Sequence, residues 1–261
     1  MSSHNETKWE KVFTRPRSGV IGLACLVLLG GCSSDPVGGV LLVSAASSLA
    51  GAFAEIEAAF ETINPQVDVI LNLGGSSALM GAILEGAPVD VFASADTSNM
   101  ERVADAGGLA GEPTVFAKNL LQIAVPSGNP GNVATLADFA RDELLIGLCA
   151  DDVPCGSLAR QAFRAAGVTP AIDTNEPSVR ALLTKVEAGE LDAAITYVTD
   201  VLSAEGAVDG VDIPVDENIV ASYPIGIMAD APNPETAEAF VAFVLSGVGG
   251  AFLIRHGFSS P

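Results

Sequence analysis

Short apolar strands alternate with amphipathic helices along most of this 261-residue chain, and this alternation constrains its fold more than any other feature. The run 40–43 is typical of a buried strand, and Leu49, Phe53, Ile56 and Phe60 follow it at the spacing of one helix face. Two further strand–helix pairs follow before residue 110. Alternation of this kind predicts an α/β fold with a largely parallel sheet.

A second α/β unit is predicted to begin near Asn119, where the run 120–125 has the character of a strand. Near Tyr223 we expect the chain to cross back to the first unit. The reason is that the closing helix, with Phe240, Phe243 and Val244 on its apolar face, has no partner in the second unit. The length allows one large or two modest domains.

Small hydroxylated or turn residues stand at five places where a helix is about to begin or a strand has just ended. These places are Ser47-Ser48, Ser76-Ser77, Pro154-Cys155-Gly156, Pro177-Ser178-Val179 and Tyr197. A helix start presents unpaired N–H groups and a partial positive charge of about half a unit, so it suits an anion. Ligands of open α/β sheets bind beyond the carboxyl ends of the strands. We therefore predict that these groups surround a small tetrahedral oxyanion without a charged side chain.

Each of these residues also has a simpler interpretation. Ser48 and Ser76 could be helix caps that contribute about 1 kcal/mol each to stability, and Tyr197 could be a core tyrosine with a satisfied hydroxyl. Asp90 and Asp96 are predicted to be structural, because carboxylates would repel an anion. Arg180, near a helix start, is expected to form a surface or inter-lobe ion pair.

The charge of the chain argues against nucleic acid as a partner. There are 32 acidic residues against 12 basic ones, which gives a net charge of −20. Such a surface repels an anionic ligand at long range, but salt screens that repulsion beyond roughly 8–10 Å. Local hydrogen-bond donors can therefore still decide the affinity.

The first 31 residues are predicted to be a signal peptide. Its basic head contains Lys8, Lys11, Arg15 and Arg17. The apolar run 20–29 that follows is too short to span a membrane stably. The segment 29–34, LGGCSS, resembles the lipobox of bacterial lipoproteins, which implies that Cys32 carries the lipid anchor and that residues 32–39 form a linker. An uncleaved signal anchor with a free Cys32 is the alternative.

Cys149 and Cys155 are the two cysteines left after Cys25, in the removed run, and the lipidated Cys32. An even pair in an oxidising compartment, close in sequence, favours a disulfide, with two free thiols as the alternative. We expect no metal cation site, because no histidine lies near this pair in the sequence.

Several segments together resemble the periplasmic molybdate-binding proteins of molybdate ABC transporters. They are AASSL (45–49), GSSAL (75–79), GAPVDVFASAD (86–96), VPCG (153–156), VRAL (179–182), YVTD (197–200), YPI (223–225) and GF (257–258). The resemblance covers roughly residues 41–258, and the segment 86–96 is the most specific to that family. Cys155 departs from the family pattern, which has a small residue such as alanine there.

The resemblance implies a type II periplasmic-binding-protein fold with two α/β lobes and two crossover strands. Lobe 1 would contain residues 40–118 and 223–261, and lobe 2 residues 119–222. By motif matching, the oxyanion ligands would be the hydroxyls of Ser48, Ser76 and Tyr197 and the backbone N–H groups of Cys155 and Val179. The implied ligand is molybdate or tungstate, with no cofactor. The implied partners are an ABC permease and ATPase complex, for a monomer anchored by lipid outside the cytoplasm.

Other functions remain open at this stage. The serious alternative is a solute-binding protein for another ligand, such as sulfate or an organic acid. An exported hydrolase is less favoured, because the sequence has no G-x-S-x-G motif and His256 is the only histidine after processing. A purely structural lipoprotein would show no ligand-dependent change.

Overall fold

The computed structural model of the chain describes residues 37–261. The predicted signal peptide, the lipidation site Cys32 and most of the predicted linker therefore lie outside the described residues.

Nine strands and eight α-helices make up the described residues. The strands are β1 (Gly39–Ala46), β2 (Val67–Gly74), β3 (Val91–Ala93), β4 (Thr114–Pro126), β5 (Ile146–Cys149), β6 (Thr174–Glu176), β7 (Ala193–Tyr197), β8 (Val208–Asp212) and β9 (Val220–Ile227). The helices are α1 (Ala50–Ile63), α2 (Ser76–Leu84), α3 (Thr97–Asp105), α4 (Pro154–Ala166), α5 (Val179–Glu187), α6 (Val198–Ser203), α7 (Pro234–Leu245) and α8 (Gly247–Arg255). Two 3₁₀ turns, Ser47–Leu49 and Leu136–Ala140, complete the set.

The strands lie in the order β2-β1-β3-β9-β4-β7-β5-β6, and β8 pairs with β4. The pairs β1–β2, β1–β3, β5–β6 and β5–β7 are parallel, as the alternation of strands and helices predicted. The long strands β4 and β9 run antiparallel to each other in the middle of the order. The prediction of an α/β fold is confirmed, and the sheet is mixed, with four parallel and four antiparallel strand pairs.

Strand β4 changes partners along its length. Its residues from Thr114 to Leu120 pair with β9, whereas those from Leu121 onward pair with β7 and β8. Two groups of strands result: β2, β1, β3, β9 and the first part of β4 on one side, and the rest of β4 with β8, β7, β5 and β6 on the other. We call these the first and the second strand group.

Aromatic side chains of two helices pack in the core beside the first strand group. Helix α1 buries Phe53 and Phe60, and α7 buries Phe240. The Phe60 and Phe240 rings meet edge to face, with centroids 5.2 Å apart. The closing helix therefore does return to the first unit, as its unpartnered apolar face predicted.

Two acidic residues on either side of β3, Asp90 and Asp96, accept hydrogen bonds from backbone N–H groups. The carboxylate of Asp90 accepts the Leu42 N–H at 2.7 Å and the Asn233 N–H at 2.5 Å. Asp96 caps α3 by accepting the Asn99 N–H at 3.1 Å. Both residues have the structural role that the sequence predicted for them.

Within residues 37–261, no single helix is long and apolar enough to cross a bilayer. The helices α7 and α8 meet that criterion only when joined, and they are bent by 61° at the break between them.

Candidate anion-binding site

One small cavity lies where the carboxyl ends of strands from both groups meet the starts of helices. Its lining residues are Ala46, Ser47, Ser48, Gly74, Gly75, Ser76, Ala95, Val153, Pro154, Cys155, Val179 and Tyr197. All five residues that the sequence singled out as oxyanion ligands are in this set. None of these described lining residues has a charged side chain.

The cavity is small and partly open to solvent. Its lining residues surround about 190 Å³ of empty space, some of which is continuous with the solvent. A compact ion can occupy such a space, whereas a sugar or a peptide cannot.

Ser76 presents a hydroxyl hydrogen to the cavity. The residue is fully buried at the start of α2, and its Oγ accepts the Ala95 N–H at 3.0 Å. The residue that precedes α2 as its cap is Gly75, so the interpretation of Ser76 as a helix cap is wrong. An oxygen that already accepts from Ala95 has its own hydrogen available for a ligand.

Ser48 lies in the 3₁₀ turn Ser47–Leu49, which leads into the N-terminal end of α1. Its Oγ is 2.9 Å from the hydroxyl of Tyr223 on β9. Its side chain makes no capping bond to the following turn, so the cap interpretation is wrong here as well.

The second strand group contributes two helix starts. The first intrahelical bond of α4 runs from the Ser157 N–H to the Val153 carbonyl, so the Cys155 N–H precedes it. In α5 the corresponding bond runs from Leu182 to Ser178, so the Val179 N–H also precedes it. Both N–H groups belong to residues that line the cavity. They are available to an anion, and the helix dipoles favour negative charge there.

The hydroxyl of Tyr197 is buried without a hydrogen-bond partner. Only 1% of the residue is exposed, and no described atom accepts from or donates to its oxygen with good geometry. Burial, together with the nearby Tyr223, Asp200 and Asp96, raises the pKa of Tyr197 well above its usual value, so the phenol remains a donor. A core tyrosine with a satisfied hydroxyl was the simpler interpretation, and it is wrong. An orphaned hydroxyl in a cavity indicates a missing acceptor.

A disulfide joins Cys149 and Cys155 beneath the start of α4, with 5.7 Å between their Cα atoms. The loop it closes is tight: a side chain on Gly156 would lie 2.1 Å from the Ala150 carbonyl oxygen. The bond therefore holds the Cys155 N–H in a fixed place relative to β5.

Asp200 is a buried carboxyl group that contacts the backbone of the proposed ligand Tyr197. Its carboxylate accepts the Tyr197 N–H at 3.0 Å and caps α6, and only 4% of the residue is exposed. Burial raises its pKa to about 7, although the Tyr197 N–H and the Arg180 charge oppose the shift.

This shift predicts a stability change with pH. A carboxyl whose pKa is raised on folding stabilises the protein at low pH, and that contribution is lost as the pH rises from about 4 to about 7. We expect the free energy of unfolding to fall by about 2 kcal/mol because of Asp200 as the pH rises from 5 to 7. Asparagine at position 200 can still accept the Tyr197 N–H but does not titrate. Asp200→Asn should therefore remove this contribution to the pH dependence of the free energy of unfolding, as measured by urea titrations. The exposed Asp216→Asn variant is the control; identical pH dependence in both variants and the wild type would contradict the assignment.

Two other candidates from the sequence lie away from the cavity lining. Arg180 pairs with Glu187 on its own helix at 4.0 Å, so it forms a surface ion pair rather than one between lobes. The Nε2 atom of His256 lies 2.9 Å from Glu55 Oε1, and His256 lines a different cavity with Gly51 and Thr199. The described structure places no serine of the anion-binding cavity in contact with this histidine.

A family model described as "Bacterial extracellular solute-binding protein" matches residues 41–259, which is most of the chain. The chain belongs to this family. A curated relative, the molybdate-binding protein ModA of Mycobacterium tuberculosis, is 40% identical over 221 residues and 85% of each chain.

Solved structures of solute-binding proteins share the fold. The periplasmic molybdate-binding protein of Azotobacter vinelandii is 19% identical, with a TM-score of 0.75 over 85% of this chain and 99% of that one. The sulfate-binding protein SubI of Mycobacterium tuberculosis is 16% identical, also with a TM-score of 0.75, over 85% of this chain and 86% of that one. At these identities the likeness shows the solute-binding fold alone.

Sequence reasoning missed the roles of three residues in or next to this solute-binding protein's site. Gly75 approaches Pro177 so closely that a side chain on it would lie 2.3 Å from the Pro177 carbonyl oxygen. Tyr223 contacts Ser48, and Asp200 contacts Tyr197. The segments around all three were noted for their resemblance, but only the contacts reveal what these residues do.

Proposed function

We propose that this chain captures molybdate, and also tungstate, in the cavity between its two strand groups and delivers it to an ABC permease. The observation that carries the proposal is the buried, unpartnered Tyr197 hydroxyl in a cavity lined by helix starts and by no charged side chain. The name of the relative at 40% identity supports the choice of ligand.

The proposed ligands are all hydrogen-bond donors. They are the hydroxyls of Ser48, Ser76 and Tyr197 and the backbone N–H groups of Cys155 and Val179. A dianion that enters this cavity loses hydration water, so preorganised donors must replace it. A hydrogen bond to a charged acceptor contributes about 1.5–3 kcal/mol. Several of them, less the costs of ordering and association, suffice for sub-micromolar binding.

Selectivity follows from the same chemistry. The backbone N–H groups of Cys155 and Val179 can donate a hydrogen bond but cannot accept one, so they favour a fully deprotonated oxyanion over a protonated phosphate. Sulfate is smaller than molybdate and would leave gaps in a cavity that fits the larger ion. Molybdate and tungstate are alike in charge and size, so both should bind.

The proposal includes two lobes and an anchor. Lobe 1 contains residues 40–118 and 223–261 and lobe 2 residues 119–222; the change of partners in β4 at Leu120 and Leu121 supports this division. Residues 1–31 act as a signal peptide, and Cys32 carries the lipid that holds the protein, as a monomer, outside the cytoplasm. The protein serves binding rather than catalysis and uses no cofactor.

Calorimetric titration with molybdate, tungstate, sulfate and phosphate tests the proposal. We expect sub-micromolar affinity for the first two anions and at least 100-fold weaker binding of the other two. Equal affinity for sulfate would assign the site to a different oxyanion, and no heat with any of the four would reject oxyanion binding.

A further inference from the structure

Tyr223 does not line the cavity, yet its hydroxyl lies 2.9 Å from the Oγ of Ser48, which does. Tyr223 is on β9, in the first strand group, where it pairs with Ala117 of β4, and it is fully buried. A partly buried hydrogen bond thus links β9 to one of the proposed anion ligands.

The direction of this bond matters to an anion. A serine hydroxyl has one hydrogen, which it can give either to Tyr223 or to a ligand. An oxyanion only accepts, so while the two hydroxyls stay hydrogen-bonded, Ser48 can bind it only when its Oγ accepts from Tyr223. Burial raises the pKa of Tyr223 above its usual value, which keeps the phenol protonated and able to donate.

The ring of Tyr223 is held firmly by other aromatic rings. Its centroid lies 5.2 Å from Phe258, 6.1 Å from Tyr197 and 6.5 Å from Phe116, each close to edge-on. Little freedom remains for the hydroxyl to move away from Ser48. The Tyr197 contact also places this ring beside the proposed ligand that comes from the second strand group.

We propose that Tyr223 is a positioning residue for oxyanion binding: it donates to Ser48 and so turns the Ser48 hydrogen toward the bound anion. This inference rests on the proposed function of the cavity. Tyr223 acts through Ser48 and does not itself contact the anion.

A double-mutant cycle with the full chain, titrated with molybdate, tests this role. Tyr223→Phe keeps the ring and its contacts and removes the donor. We expect it to weaken binding roughly three- to ten-fold in the wild type, and to have no further effect in the Ser48→Ala background. Ser44→Ala is the matched control, because Ser44 is a buried serine on β1, the strand that precedes Ser48, and does not line the cavity. In that background Tyr223→Phe should retain its whole effect.

The outcomes separate the role of Tyr223 from the function of the site. An equal effect of Tyr223→Phe in the Ser48→Ala and Ser44→Ala backgrounds would show a merely structural role and overturn the inference, as would no effect at all in the wild type. If the wild type binds sulfate rather than molybdate, the proposed ligand is wrong, and the same cycle measured with sulfate still decides about Tyr223. Failure of all four anions to bind would overturn both proposals.

Discussion

Replacing Gly75 with alanine is expected to weaken oxyanion binding about 100-fold while the protein remains folded. A Cβ atom at this position would lie 2.3 Å from the carbonyl oxygen of Pro177, far inside van der Waals contact. Gly75 precedes α2 and Pro177 precedes α5, so the clash pushes apart two helix starts that carry proposed ligands. Overpacking of this kind costs typically 1–3 kcal/mol, and the upper end corresponds to about 100-fold in affinity.

The backbone of Gly75 makes this variant informative. Its φ of −65° and ψ of 133° are available to alanine, so any strain comes from Pro177 and not from the local conformation. If the two strand groups can separate, the ligand-free protein relieves the clash and retains its stability.

Gly81→Ala is the matched control for Gly75→Ala. Gly81 lies within the same helix, α2, and a Cβ atom there would meet nothing within 4 Å. Affinity should be unchanged, and helix propensity should raise stability by about 0.5–1 kcal/mol. Calorimetric titration and urea unfolding of both variants measure the two effects. Equal affinities of the two variants would show that the approach of Gly75 to Pro177 is unimportant for binding.

Tyr197→Phe is expected to weaken binding by about 1.5–3 kcal/mol, which is roughly 10- to 150-fold. The same change should leave the stability of the ligand-free protein unchanged or raise it, because it removes a buried hydroxyl that has no partner there. Weaker binding without a loss of stability is the result expected for a hydroxyl that finds a hydrogen-bond partner only in the bound ligand.

Thr196→Val provides the control for Tyr197→Phe. Thr196 Oγ1 is the other buried hydroxyl without a partner among the described residues, and its residue is not part of the cavity lining. Valine has nearly the same shape, so stability should again hold or rise, but affinity should not change. Loss of affinity in Thr196→Val, or none in Tyr197→Phe, would remove the Tyr197 hydroxyl from the proposed site.

The positions of the proposed ligands could be predicted because they obey local rules. Ser48, Ser76, Cys155 and Tyr197 each follow or end a predicted strand, whereas Val179 was predicted only as a helix start, because the strand before it, β6, was not predicted. In parallel sheets such strand ends gather at one edge. This rule can be applied without knowledge of long-range contacts. The residues that it predicted to lie close together do line one cavity in the structure.

Other features could not be predicted, because they depend on contacts between distant residues. The Ser48–Tyr223 bond spans 175 positions, and the approach of Gly75 to Pro177 joins the two strand groups. Strand β4 begins at Thr114, six residues before the predicted start at 120, since the polar Asn119 obscured the strand pattern. In the fold Asn119 is buried and donates to Thr199 Oγ1 at 2.8 Å, which makes a polar residue acceptable there.

Two short strands also escaped prediction. β6, Thr174–Glu176, has three residues without an apolar run, and β8, Val208–Asp212, has polar residues and a glycine between its two valines. Their place in the sheet comes from pairing with β5 and β4. Tertiary pairing outweighs the weak local preference of such segments.

A crystal structure of the protein grown with molybdate would show whether neutral donors from both strand groups converge on one doubly negative ion. We predict molybdate in this cavity, with its oxygens within about 3 Å of the Ser48, Ser76 and Tyr197 hydroxyls and of the Cys155 and Val179 nitrogens. Molybdate bound at another place, or bound by cationic side chains, would contradict this prediction.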